Sequence, residues 1–423
     1  MIECIGIDFG TTNTCVAVRT AAKIRVLSID PGASNPNLIR SLIFIPSRRE
    51  SFFGKNAIDQ YFDHDMEGRF FQSIKKLLPN PEFKGTSVFG THLGIEELIA
   101  RFLSELKNRI EKEIGSIEGI PIHMGRPARY SLDPACEALA VTRFLHACEL
   151  AGFKNVRLIE EPTAAAENSN HAHDENSLVL VCDLGGGTSD FTLFRTKKAG
   201  IETLSVFGVP VAGDSLDSDF FRTKLNSHFG SEIRYQRFLS NNILTLPSTF
   251  VKILPKWHHH AFLRERSTWE FILNLRRELV DEKQKPVLEN LITLVEENLG
   301  YKLHQEVEGL KVALSDAAQT ETKADFSFRS YPIEIGFAVE NRDFETWIEP
   351  SVAEIEAAAV ETMKLGHTDP SAVQILQFTG GTAKVPLIRK RLKSLFPNAV
   401  ITDSEAFTAV AEGLAQTVVR GAF

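Results

Sequence analysis

The chain has 423 residues, 43% hydrophobic and 24% charged, with a formal net charge of -8; that is enough for two lobes or domains. The acidic balance argues against a nucleic-acid surface, no run approaches the ~18 apolar residues of a membrane span, and the start, MIECIGIDFG, lacks the basic and long apolar segments of a signal peptide. The 5 cysteines, Cys4, Cys15, Cys136, Cys148 and Cys182, include no C-x-x-C pair, which disfavours a disulfide framework or zinc site and fits a reducing cytoplasm.

The first element is a hairpin. Ile5-Gly6-Ile7 runs into Asp8, Gly10-Thr11-Thr12-Asn13 forms a tip, and Cys15 to Val18 leaves as a second strand. In residues 92–114, Ile95, Leu98, Ile99, Phe102, Leu103, Leu106 and Ile110 recur at helical spacing. Residues 121–125 read as a short strand. Residues 133–152 read as a helix opened by Asp133-Pro134 and stopped by Gly152. Residues 156–169 pass from strand to helix, with Pro162 at the first helical position. Residues 177–194 then repeat the opening pattern: an apolar strand meets Asp183, a Gly185-Gly186-Gly187-Thr188 tip follows, and Phe191 to Phe194 leaves. The echo predicts two similar α/β lobes.

Residues 218–312 read as mostly helical and charge-laced. Adjacent His258, His259 and His260 are poorly spaced for one ion and read as a surface loop; His171, His173 and Asp174 sit in a polar connector. Residues 350–366 read as a helix bounded by Pro350 and Gly366. Residues 373–396 give strand, Gly380-Gly381 turn and helix, and residues 404–421 a closing helix.

A Gly/Thr tip offers backbone N–H groups and hydroxyls that can cradle phosphate oxygens. A carboxylate beside it cannot bind phosphate, because like charges repel, unless a divalent cation lies between. Mg²⁺ keeps most of its waters, and carboxylates hold those waters. Asp8 and Asp183 therefore read as two jaws of a Mg-phosphate clamp. One such tip alone would be ordinary turn chemistry; two matched copies and a third Gly-Gly-Thr turn at 380–382 favour the clamp. Neither G-x-x-x-x-G-K-[ST] nor a helix-opening G-x-G-x-x-G occurs.

IGIDFGTTNTCVAV, IEEPTAAA, DLGGGTSDFTLF and FTGGTAKVP resemble four motifs of the actin-like ATPase superfamily, most closely the seventy-kilodalton heat-shock chaperones of the DnaK family and, among them, truncated members of the YegD type. The resemblance implies an α/β actin-like ATPase fold with two duplicated ribonuclease-H-like lobes around a nucleotide cleft. Lobe I is expected at 1–170, lobe II at 171–403 with a helical insertion at about 218–312, and a closing helix at 404–423 packing back toward lobe I. It covers only the family's nucleotide-binding domain, so a peptide-binding domain is expected to be missing. By position, Asp8, Glu161 and Asp183 match the carboxylates that orient Mg²⁺ waters and the attacking water, and Asp190 one that helps hold cations, K⁺ being a further candidate. Gly10, Thr11, Thr12 and Asn13 match the first phosphate loop. Gly185, Gly186, Gly187 and Thr188 match the second, with Thr188 near the γ-phosphate. Lys75 matches the water-positioning lysine, Lys76 being its alternative by a one-residue slip; locally Lys75 is only a helix-end lysine. Gly380, Gly381 and Thr382 match the adenosine turn, and Glu308, Lys311 and Ser315 the ribose and adenine contacts, although Glu308 and Lys311 alone are just a helix pair.

Five positions depart from the family pattern. Val312 and Lys384 replace the two arginines that clamp adenine, and an ammonium does not stack as a guanidinium does. Phe407 and Thr408 replace an Asp-Glu pair, and Ser215 stands where an acid is usual. The implied activity is slow, Mg-dependent ATP hydrolysis by a chaperone-like protein, with ATP/ADP bound and a co-chaperone or client as partner. The alternatives are a metabolite kinase of the superfamily and an actin-like filament protein; EPTAAA and Lys75 favour the chaperone branch.

Overall fold

The computed structural model describes residues 2–127, 129–131, 133–168, 175–197, 200–237, 241–315, 323–403 and 408–417. His171, His173, Asp174 and Phe407 lie outside them. Two sheets carry the same strand plan. In the first, Ile2–Phe9 pairs antiparallel with Asn13–Thr20 and parallel with Ile122–Arg126, which pairs in parallel with Val156–Glu160; Ile24–Val26 and Leu38–Arg40 extend from Asn13–Thr20. In the second, Leu178–Leu184 pairs antiparallel with Ser189–Lys197 and parallel with Ile375–Thr379, which pairs in parallel with Val400–Asp403; Gly200–Val209 lies beyond Ser189–Lys197. Each sheet thus has a central hairpin, two parallel strands on one side and an antiparallel strand on the other.

Alternation decides which face each residue covers. Ile5, Ile7, Phe9, Val16 and Val18 pack against the helices Ile95–Ile114 and Pro134–Leu150. Cys15 and Ala17 point the other way, to Ala411 and Ala415 of the helix Ala409–Gln416. That helix lies close to the sheet because Gly6 has no side chain: a Cβ there would sit 2.3 Å from the Ala411 carbonyl. Local signals act where expected. The Asp133 carboxylate accepts from the N–H groups of Ala135 and Cys136 at 2.9 and 2.8 Å, and Gly152 takes the left-handed conformation, φ 76°.

Two expectations are overturned. The helix at Pro350 begins nine residues earlier and runs as Asn341–Leu365 straight through the proline. Phe344 and Ile348 continue the buried stripe of Val352 and Ile355, and that burial outweighs the ~3 kcal/mol interior-proline cost. The three histidines are not a surface loop but part of the 3₁₀ stretch Trp257–Arg264. Trp257 is buried among Tyr61, Phe70 and Tyr301, with ring centroids 6.1, 5.3 and 5.0 Å away. His260 is only 2% exposed, and a nitrogen of its ring, Nε2, donates to the Leu254 carbonyl at 2.8 Å. Burying the indole draws the neighbouring histidines inward.

Candidate functional site

Asp8 and Asp183 are each the next-to-last residue of a central strand, beside the carboxyl ends of the parallel strands, where open α/β sheets gather ligands. The two tips close alike. The Gly10 N–H donates to the Asn13 carbonyl and the Gly185 N–H to the Thr188 carbonyl, both at 3.0 Å. The first tip is braced by Ser41, whose N–H donates to the Thr12 carbonyl and whose hydroxyl donates to the Gly10 carbonyl, each at 2.8 Å. The second is braced by Thr382, whose hydroxyl donates to the Gly185 carbonyl at 2.6 Å. The tips face one another: a Cβ on Gly186 would lie 3.1 Å from the Thr12 hydroxyl. Both line one cleft of about 1950 Å³.

Lys75 lies at the floor of this cleft in the short 3₁₀ turn Ile74–Leu77, 7% exposed. Its ammonium donates to Glu161 Oε1 at 2.7 Å and sits 5.9 Å from the Phe9 ring centre. Glu161 enters the helix Glu161–Asn168 directly after its strand. Lys76 points elsewhere and donates to the Gly187 carbonyl of the second tip at 2.9 Å. The two lysines therefore divide between the carboxylate floor and the second loop.

Burial and then Glu161 push Asp8 up to about 7 against the pull of Lys75. Burial and then Asp190, Glu161 and Asp8 hold Asp183 well above the usual carboxylate range. Burial lifts Asp190 to about 6 although the Thr188 hydroxyl bonded to it pulls the other way. Burial alone would lower Lys75, but Glu161 and Asp8 more than offset it and hold it above its usual value. Four carboxylates outnumber the ammonium set among them. The surplus negative charge and all-oxygen donor set fit a hard divalent cation such as Mg²⁺. Among the described residues no group of three or more Asp, Glu, His or Cys could hold an ion directly.

The expected base side is less open to a ligand. Glu308, Lys311 and Ser315 lie on one stretch of the helix Gly300–Ser315 and line the cleft. The Lys311 ammonium, however, donates to Asp217 Oδ2 at 2.7 Å, and the Ser315 hydroxyl to the Lys311 carbonyl at 2.7 Å. Glu308 reaches across the cleft to Arg40, with 3.5 Å between charged atoms. Burial raises the Glu308 carboxyl, yet Arg40 and Lys311 bring it below its ordinary value. Gly380 is required by its turn: φ is +85°, and a Cβ would sit 2.2 Å from the Leu184 carbonyl. Gly381 lines the cleft beside it. Val312, 61% exposed, and Lys384 stand at the rim. Arg40, Asp217, Lys256, His258 and His259 also line or brace the cleft without having been singled out as site residues; no local motif marks them, since each is placed by a distant element.

Two duplicated ribonuclease-H-like sheets, each presenting an Asp and a Gly/Thr tip to a shared cleft, define an actin-like ATPase fold. The family model described as Hsp70 protein matches residues 51–237 and 275–421. This chain belongs to the Hsp70 family. A mitochondrial heat shock 70 kDa protein of Dictyostelium discoideum is 28% identical over 262 residues, 56% of this chain and 37% of that protein. The HscA homologue chaperones of Shewanella putrefaciens and Rickettsia akari are 24% and 22% identical over 97% and 99% of this chain, and 57% and 67% of their own lengths. The chain thus spans about 37% and 57% of the length of the first two of these relatives.

Proposed function

We propose that the chain is a Mg-dependent, ATP-binding and ATP-hydrolysing chaperone-type switch, built as lobe I at 1–170, lobe II at 171–403 and a closing helix. The observation that carries the reading is the pairing of the two hairpin tips over the Lys75–Glu161 floor. With the Gly10 and Gly185 N–H groups closing the tips, the backbone N–H groups of Thr11 and Thr12 and of Gly186 and Gly187 receive phosphate oxygens. Asp8, Asp183 and Asp190 hold the waters of Mg²⁺, which when bound neutralises phosphate charge. Glu161 orients the attacking water, and Lys75 fixes Glu161 and offsets charge developing on the transferred phosphoryl group. The base side, turned by Gly380 and Gly381 and reached by Glu308, Lys311, Ser315 and Lys384, receives the nucleoside with little stacking. All five cysteines are free, and no helix among the described residues is long and apolar enough to cross a membrane. A reducing cytoplasm and a client or co-chaperone protein are part of the same proposal. Single-turnover hydrolysis of ATP by wild type and Asp183→Asn tests it: turnover that persists at the wild-type rate in the variant, or is absent from the wild type with Mg²⁺, refutes it.

The cleft volume favours one second reading. About 1950 Å³ exceeds the ~300–1,000 Å³ of most small-molecule sites, which leaves room for a phosphoryl acceptor. A screen of hydroxylated metabolites for ATP-dependent phosphorylation separates the two.

A further inference from the structure

Residues 238–274 fall between the two stretches matched by the Hsp70 family model. Part of this segment nevertheless faces the phosphate loops: Lys256, His258 and His259 line the same cleft. They are held there from both sides. Trp257 is 5% exposed and set among Tyr61, Phe70 and Tyr301. His260 is anchored on the Leu254 carbonyl and lies over Gly300, where a Cβ would sit 2.2 Å from its Nδ1. With both anchors buried, His258 and His259 between them are presented to the cleft without a large ordering cost on binding, and Lys256 directly precedes the first anchor.

Their chemistry is that of an anion site. Lys76, from the other lobe, touches the Gly187 carbonyl of the second tip. It is lowered from the usual lysine range first by burial and, against the pull of Asp214 and Asp190, by the charge of Lys256. Lys76 and Lys256 thus bring two ammonium groups to the cleft that Gly187 lines. Lys256 makes no ion pair with a described residue. Nδ1 of His258 is buried with no hydrogen-bond partner among the described residues. Burial and then His259 and His260 lower that ring to about 3, so at neutral pH it is an uncharged donor or acceptor. Two ammoniums and an imidazole nitrogen without a partner, in the cleft that the glycine-rich turn lines, match the oxygens of a phosphate.

We propose that the stretch 256–260 builds an anion subsite on the roof of the cleft, in which Lys256, His258 and His259, together with Lys76, hold the terminal phosphate of a nucleoside triphosphate. The subsite rests on the nucleotide reading above and adds to it a device for telling triphosphate from diphosphate. It also locates grip on the phosphate chain where the base side has lost its stacking partners.

Calorimetric titration of the full chain with ATP, ADP and inorganic tripolyphosphate in Mg²⁺ tests it, on wild type, Lys256→Ala and Lys256→Arg. Losing one charge-assisted contact should weaken ATP and tripolyphosphate about tenfold in Lys256→Ala, leave ADP within about twofold, and be largely restored in Lys256→Arg. ATP affinity unchanged in Lys256→Ala, or equal losses for ATP and ADP, overturns the subsite while leaving the nucleotide reading intact. Tripolyphosphate binding that Lys256→Ala abolishes, in a wild type that binds no nucleotide, keeps the subsite and overturns the nucleotide reading. Binding of none of the three to the wild type overturns both.

Discussion

Replacing Lys75 by alanine separates a transition-state role from a merely structural one. The ammonium is 7% exposed and 2.7 Å from Glu161. Its removal leaves Glu161, Asp8, Asp183 and Asp190 without that compensating charge. Breaking a buried pair by deleting one partner costs ~3–5 kcal/mol. Here the carboxylates open to a wet cleft and can relax toward water, so a stability loss near the low end, about 3 kcal/mol, is expected. Catalysis should suffer at least as much. Removing one preorganised donor from a developing charge lowers kcat by ~10²–10³, while nucleotide affinity, carried by the tips, should stay within a few-fold. Single-turnover hydrolysis with ATP in excess of its Kd, beside a urea titration, measures both. Lys76→Ala is the control, because Lys76 touches the Gly187 carbonyl and not Glu161; it should lose affinity before rate. Hydrolysis by Lys75→Ala within about threefold of wild type, in a protein shown to be folded, would refute the reasoning, and a rate loss confined to Lys76→Ala would transfer the role.

With Val312 and Lys384 exposed at the rim, ATP should be preferred to GTP by less than about a hundredfold, roughly 2.7 kcal/mol; competition calorimetry showing a larger ratio would mean that other residues rebuild the adenine pocket. Gly413→Ala should destabilise by ~3 kcal/mol or more, because its Cβ would fall 1.8 Å from the Ala164 carbonyl on the helix that begins with Glu161; an unshifted urea midpoint contradicts that close approach. Asp8, raised to about 7, contributes stability that is complete below its unfolded value of ~4 and lost as pH rises through 7. In metal-free buffer the Tm of Asp8→Asn minus that of wild type should therefore grow between pH 5 and 8, and a flat difference would show that Asp8 is not destabilised by its neighbours. His260, lowered to about 4, has the opposite sign: its contribution is lost as pH falls from ~6.5 toward 4, worth about 3 kcal/mol in all, and a His260→Gln variant whose stability parallels wild type over that range would contradict this.

The two tips of the candidate site are legible in the sequence. A strand, an aspartate and a Gly/Thr tip are short-range features: alternation sets the strand, turn chemistry sets the tip, and both act within a dozen residues. The duplication of Asp8 and Asp183 was visible for the same reason, and so were the Asp133 cap and the Gly152 stop. The reading failed where a longer range decides. Pro350 looked like a helix start because local rules end helices there, yet the stripe from Phe344 to Ile355 carried the helix through. The histidines at 258–260 looked solvent-facing because nothing nearby in the chain indicates that Trp257 is buried against Tyr61 and Phe70, almost two hundred positions earlier.

The sequence alone therefore determined the chemistry on offer: two carboxylate-bearing tips, a lysine pair, a third glycine turn, and Val312 and Lys384 on the expected base side. Only the tertiary structure decided how that chemistry is shared out. It set Lys75 on Glu161 and Lys76 on Gly187, spent Lys311 on Asp217 and Thr382 on Gly185, and brought Lys256, His258 and His259 into the cleft. The physical reason is that the charge state and partners of a side chain depend on burial and on distances of a few ångströms between segments far apart in the chain, which the packing of the two lobes sets and no local pattern encodes.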